Sequence, residues 1–295
     1  MMTKSGKPAA MLGLLITVPA VLFFRGRVKK TKTTRTAQSS CTAAEPAHRR
    51  AFLKEHIING REHSVQPLEY HVASRAHLAG FERQHNLPGE NAPVEAPALE
   101  TGISMEELVI QTEEGAQGQM PTVLLRSTRA PPSTRLPVVI CLHSTGSNRF
   151  QMFRRMQAFA KRGYLAVSID VRYHGSRQIT KLDYQEALIQ AWKDGKTRPF
   201  LLDTVYDLIR LLDHLEGRPD VDASRIGMTG ISLGGMLTWL TAVCDERIAV
   251  TVPMIGVQNF EWAIHNNKWH DRVATISAVF NEAASSMGRP SVDSQ

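Results

Sequence analysis

Five residues constrain this chain more than any other feature: Gly230-Ile231-Ser232-Leu233-Gly234. They fall where a strand-like pattern gives way to a helix-like one. Arg225-Ile226-Gly227-Met228-Thr229 reads as a short buried strand, and Gly235 to Val243 reads as a helix that is apolar most of the way round. Joining the two leaves room only for a tight turn. A serine there has a strained backbone, and glycine on either side permits the close approach. Strain lifts the hydroxyl clear of the sheet, where a base and a substrate can both reach it. Ser232 is therefore the candidate nucleophile. An inert Gly/Ser turn is the bland reading of the same residues.

Strand and helix signals alternate on both sides of this turn. Glu107 to Thr112 and Met120 to Arg126 look like an opening antiparallel pair. Leu136 to His143 is a continuous apolar strand of buried parallel type, and Tyr164 to Asp170 is the next strand. Phe150 to Lys161 and Phe200 to Leu215 carry helical apolar stripes, and Ile248 to Pro253 is a further strand. This order predicts an α/β fold, a doubly wound, mainly parallel sheet with helices on both faces. Three regions follow: a basic apolar segment over 1–44, a helical extension and Pro-rich linker over 45–104, and the α/β domain over 105–295. The extension is expected to hold helices at Arg49 to Ile58 and Glu69 to His85. Its five histidines (His56, His63, His71, His77, His85) have irregular spacing and read as solvated surface rather than a metal site.

Charge is concentrated at one end. Residues 1–44 carry eight Lys and Arg and no acid, whereas the whole chain is +7, which leaves −1 for residues 45–295. The basic balance therefore belongs to the tail, and no nucleic-acid partner is expected. Ala9 to Phe24 is an apolar run flanked more heavily by basic residues on its far side. It suits a membrane anchor with the domain facing the cytosol, through association of residues 9–24. The Ser/Thr/Arg-rich stretch behind it equally suits plastid or mitochondrial targeting. Secretion and a disordered tail are the other readings. Cys41, Cys141 and Cys244 are too few for a disulfide framework, and Cys141 and Cys244 read as buried free thiols. No G-x-G-x-x-G follows an early strand, so no cofactor is expected.

A serine nucleophile needs a base, a group that orients the base, and donors for the developing oxyanion. One donor is the N–H of Leu233, which opens its helix. The second is expected from the loop His143-Ser144-Thr145-Gly146-Ser147-Asn148, through the backbone N–H groups of Ser144 and Thr145. His143 lies in the oxyanion position itself, so it reads as a loop-shaping side chain and not as the base.

With Leu142-His143-Ser144-Thr145-Gly146, Asp170-Val171-Arg172-Tyr173-His174-Gly175 and Gly230 to Gly235 each at the end of a strand, the chain resembles the α/β-hydrolase superfamily over roughly residues 105–290. It looks closest to the esterase, dienelactone-hydrolase and prolyl-oligopeptidase-like branch, and is similar to plant-type members. The resemblance implies a serine hydrolase acting on a small-molecule ester, thioester or amide. It also implies that Asp170 and Arg172 tie their loop down and that His174 is structural. The family order places an acid and then a histidine after the serine. The 63 residues after Ser232 (295 − 232) offer His265 and His270 only in a helix-like stretch, and no acid after a further strand. The expectation is of a C-terminally incomplete domain with an incomplete triad, little turnover, and the Ile248 strand left as an apolar sheet edge. A catalytically inactive binding or scaffold module is the competing reading.

Overall fold

The computed structural model describes residues 44–58, 70–72, 96–178, 183–256, 266, 277–286 and 288. Seven described strands form one sheet in the order β1-β2-β3-β5-β4-β6-β7. These are β1 Tyr70–Val72, β2 Ile103–Gln111, β3 Gln119–Ser127, β4 Leu136–Leu142, β5 Leu165–Ile169, β6 Val221–Ile231 and β7 Ile248–Met254. The described helices are α1 Ala44–Ile58, α2 Phe153–Lys161, α3 Asp183–Asp194, α4 Phe200–Glu216, α5 Leu233–Cys244 and α6 Ser277–Ser286.

Strand pairing is less parallel than the sequence pattern predicts. β1–β2, β2–β3 and β3–β5 are antiparallel, whereas β5–β4, β4–β6 and β6–β7 are parallel. The mainly parallel character therefore belongs to the half that carries the elbow. A second correction concerns the extension. Tyr70–Val72, expected within a helix, pairs with Leu108–Ile110 as an edge strand. A helical spacing of apolar residues cannot register a neighbour that far along the chain. The rest of the Glu69 to His85 stretch lies outside the described residues, as do 1–43 and the 257–265 and 267–276 stretches. No described helix is long and apolar enough to cross a membrane.

The sheet is covered on both faces, as alternation along buried strands requires. Val138, Ile140 and Leu142 of β4 face a core shared with α4 and α5, which supply Val205, Leu208, Leu212 and Leu237. Leu53 and Ile57 of α1 and Val279 of α6 join that core. Cys141 of β4 faces the other way, against Phe153, Met156 and Ala160 of α2. Burial pushes the thiols of Cys141 and Cys244 up to about 12, so both are inert free cysteines near neutral pH. At the far edge, β7 leaves Val250 61 % and Val252 57 % exposed. The outer rim of the sheet is thus apolar and open on this strand.

Candidate active site

Three strands deliver their carboxyl ends to one place. Leu142 at the end of β4 pairs with Gly230 of β6, and Ile231 pairs with Met254 at the end of β7. The turn from β6 into α5 is one residue long. Ser232 occupies it with φ 53 and ψ −109, a backbone region that non-glycine residues rarely visit. Its N–H donates to the Met254 carbonyl at 2.9 Å, and its own carbonyl accepts the Met236 N–H at 2.9 Å. Glycine is required on each side for a steric reason. A Cβ on Gly230 would lie 2.4 Å from the Gly234 backbone, and one on Gly234 would lie 2.4 Å from the Leu142 carbonyl oxygen. Gly235 faces Met254 and Gly256 at 2.6 to 2.9 Å in the same sense. The next loop carries another positive-φ residue, the β-branched Ile255, with φ 45 and 75 % of its surface exposed beside the turn.

The oxyanion-type loop differs from expectation in one respect. The Ser144 N–H donates to Gln151 Oε1 at 2.7 Å, so it is occupied. The N–H groups of Thr145 and Leu233 reach no acceptor among the described residues. Of the three donors read from the sequence, two are therefore open. The third was misjudged because the acceptor sits seven residues on, in a side chain whose direction the sequence does not reveal.

His143 is buried and engaged through both ring nitrogens. Nδ1 bonds the Ser144 carbonyl at 2.8 Å, and Nε2 accepts the Val171 N–H at 3.0 Å. Burial lowers its proton affinity, so the ring stays neutral. It shapes the loop, as read. His174 is also buried. Its Nδ1 bonds the Arg172 carbonyl at 2.9 Å, and its ring stacks on Tyr184 at 5.1 Å. Burial first, then the neighbouring His143, push it down to about 4. Neither histidine reaches Ser232, whose Oγ has no hydrogen bond among the described residues. His265 and His270 lie outside the described residues.

The loop after β5 is fixed by buried charge. Asp170 accepts the Arg149 N–H and guanidinium, each at 2.7 Å, and the Ser176 N–H at 2.9 Å. Gly175 has φ 55, and a Cβ there would strike the Asp170 carboxylate at 2.5 Å. Arg172 grips Asp207 of α4 with two 2.8 Å bonds, and Arg177 adds a third at 2.8 Å. Thr112 donates to the same carboxylate at 2.6 Å. Burial alone would raise the Asp207 carboxyl, but the two guanidinium groups outweigh it and hold the group ionised. Asp170 and Arg172 tie the loop down, as the resemblance implies. Arg149, Arg177 and Asp207 were not read from the sequence. The available signal was an acid, Asp207, lying among the apolar positions Val205, Leu208 and Leu211 of its helix.

Residues 121–294 match the dienelactone hydrolase family, more than half of the chain. The chain belongs to that family. Family members of this kind are hydrolases, and the α/β-hydrolase fold follows with membership. Residue-level likeness is patchier. A 50-residue stretch is 44 % identical to a Bacillus subtilis protein designated a hydrolase, YtaP, covering 17 % of each chain. A 135-residue stretch is 24 % identical to the acetyl esterase Axe7A of Xylanibacter ruminicola, covering 42 % of this chain and 30 % of that one. Among solved structures, an acetyl xylan esterase from Paenibacillus sp. R4 superposes with a TM-score of 0.45 at 20 % identity, over 78 % of this chain and 71 % of that one. The chain spans from 17 % to 46 % of the length of the curated relatives it matches. Among the described residues no group of three or more His, Cys, Asp or Glu could hold a metal ion.

Proposed function

We propose that this member of the dienelactone hydrolase family is a serine hydrolase of small-molecule esters, with Ser232 as nucleophile and the N–H groups of Leu233 and Thr145 as oxyanion donors. The observation that carries this reading is the conformation of Ser232. A serine held at φ 53 between two sterically obligatory glycines is strain with a purpose, because an inert turn would relax it. The hydroxyl stands at the first residue before α5, where the helix dipole and an open N–H favour developing negative charge. Attack by Oγ on an ester carbonyl would form an acyl-enzyme and expel the alcohol. Water would then release the acid. Ile255, beside the turn and exposed, offers an apolar surface for the acyl or alcohol group. Membership in a family of hydrolases favours this enzyme over the inactive-scaffold reading.

The test uses a fluorophosphonate probe and short-chain aryl esters on the whole chain, beside Ser232→Ala. Labelling of the parent and loss of both labelling and turnover in the variant are the expected results. A parent chain that does not label sinks the reading. Neither His143 nor His174 is placed as the base, because neither hydrogen-bonds Ser232 and their Nδ1 atoms and the His143 Nε2 are engaged elsewhere. His265→Ala and His270→Ala show which of the remaining histidines after Ser232 takes the proton, if either does. For residues 1–44, the basic charge and the apolar run support an anchor or organelle-targeting role. Deleting them should move the protein into the soluble fraction, and identical fractionation of both forms would end that idea.

A further inference from the structure

Ser144 has its N–H, Oγ and carbonyl all hydrogen-bonded. Its N–H donates to Gln151 Oε1 and its Oγ accepts from Gln151 Nε2, both at 2.7 Å. Its carbonyl accepts from the His143 ring at 2.8 Å and from the Ser147 N–H at 3.3 Å. His143 is anchored in turn by the Val171 N–H at 3.0 Å. Val171 follows Asp170 in the loop that the Arg149–Asp170 and Arg172–Asp207 pairs hold rigid. The next residue in the chain, Thr145, keeps its N–H open, and Gly146 with φ 71 turns the backbone away directly afterwards.

We infer that His143 and Gln151 are positioning residues that saturate Ser144 from two sides and so present the Thr145 N–H, rather than that of Ser144, to a substrate's carbonyl oxygen. The inference rests on the nucleophile reading of Ser232. An oxyanion donor helps only if its peptide plane is already aimed when charge develops, since ordering a loose loop at that moment costs backbone entropy. Both positioning groups are suited to the task because each donates and accepts at once. With Val171 N–H directed at Nε2, the proton of the neutral imidazole belongs on Nδ1, which is the atom that meets the Ser144 carbonyl. An imidazolium would turn a donor towards the Val171 N–H and break the brace. The Gln151 amide offers its oxygen to the Ser144 N–H and its NH₂ to the hydroxyl. Ala at 151 offers neither. Glu at 151 can accept from both the N–H and the hydroxyl proton, so it keeps the clamp.

Amide hydrogen exchange, read residue by residue on the full chain, tests the clamp without any turnover. The Ser144 N–H should exchange about tenfold more slowly than that of Thr145, the scale of one hydrogen bond. Gln151→Ala should erase that difference and leave Thr145 unchanged, and Gln151→Glu should restore it. Because Gln151 is exposed, neither change should alter thermal unfolding. In parallel, a fluorophosphonate should label Ser232 about tenfold more slowly in Gln151→Ala, to the same final extent. Equal exchange at Ser144 and Thr145 in the parent chain would overturn the inference. So would a Gln151→Ala variant in which neither exchange nor labelling rate moves. A parent that fails to label counts against the Ser232 reading alone, and the exchange rates still decide whether Ser144 is clamped.

Discussion

The turns after β5 and β6 stand at the same edge of the sheet, and each forces a side-chain-bearing residue to positive φ: Tyr173 at 61 and Ser232 at 53. They are held in opposite ways. The β6 turn is held by what is missing. Three glycines let the backbones of α5, β4 and the β7 loop approach to distances that no Cβ would permit. The β5 turn is held by what is added, a buried set of Arg149, Asp170, Arg172, Arg177 and Asp207 reaching from α4 to the start of α2. Steric absence gives a tight and permanent fit that tolerates not one extra carbon. Buried ion pairs tolerate neighbours but depend on every partner, because desolvation is only offset while each charge is met. One turn carries Ser232, the proposed nucleophile, and the other braces the Ser144–Thr145 loop through Val171.

Breaking a partner should therefore cost more than crowding a glycine. Asp207→Ala removes the carboxylate shared by two buried guanidinium groups, leaving Arg172 only Glu113 and Asp203, and a loss of about 4 kcal/mol is expected in chemical denaturation. A loss below about 1 kcal/mol would show that Arg172 and Arg177 find water, and the contrast between the turns would collapse. Next comes Gly234→Ala, whose methyl would lie 2.4 Å from the Leu142 oxygen. About 3 kcal/mol is expected by the same measurement, along with loss of Ser232 labelling.

Proton dependence separates the two turns further, because only the β5 turn holds a titrating histidine. His174 is pushed from 6.5 to about 4 in the folded chain. Between those values the unfolded chain binds the proton and the folded chain does not. Stability is thus complete above pH 6.5 and falls as pH drops towards 4, by about 3 kcal/mol for this ring. His214, also lowered to about 4, adds a slope of the same sign. His174→Gln should flatten the decline between pH 7 and 4.5 without abolishing it, and an unchanged slope would show that His174 is not the titrating group. The smallest effect is reserved for Gly146→Ala. Its φ is 71 but nothing lies within 4 Å of an added Cβ, so only the backbone strain of about 1 kcal/mol is expected. A cost equal to that of Gly234→Ala would mean that a positive φ alone demands glycine as strongly as close approach does.

The amino-acid pattern by itself determined the elbow, the strands and helices around it, and the loop-shaping role of His143. These depend on periodicity and on turn sterics, which are properties of residues close together in the chain. Tertiary structure alone decided the rest. The strand at Tyr70–Val72 exists through a pairing nearly forty positions away. Asp207 is one of four acids in its helix, and only the packing of α4 under the β5 turn buries it and gives it two arginines. Ser144 and Thr145 are equivalent donors in sequence, and became different only when the Gln151 side chain settled on one of them. Which groups meet across a fold depends on how whole elements pack, and no local spacing carries that information.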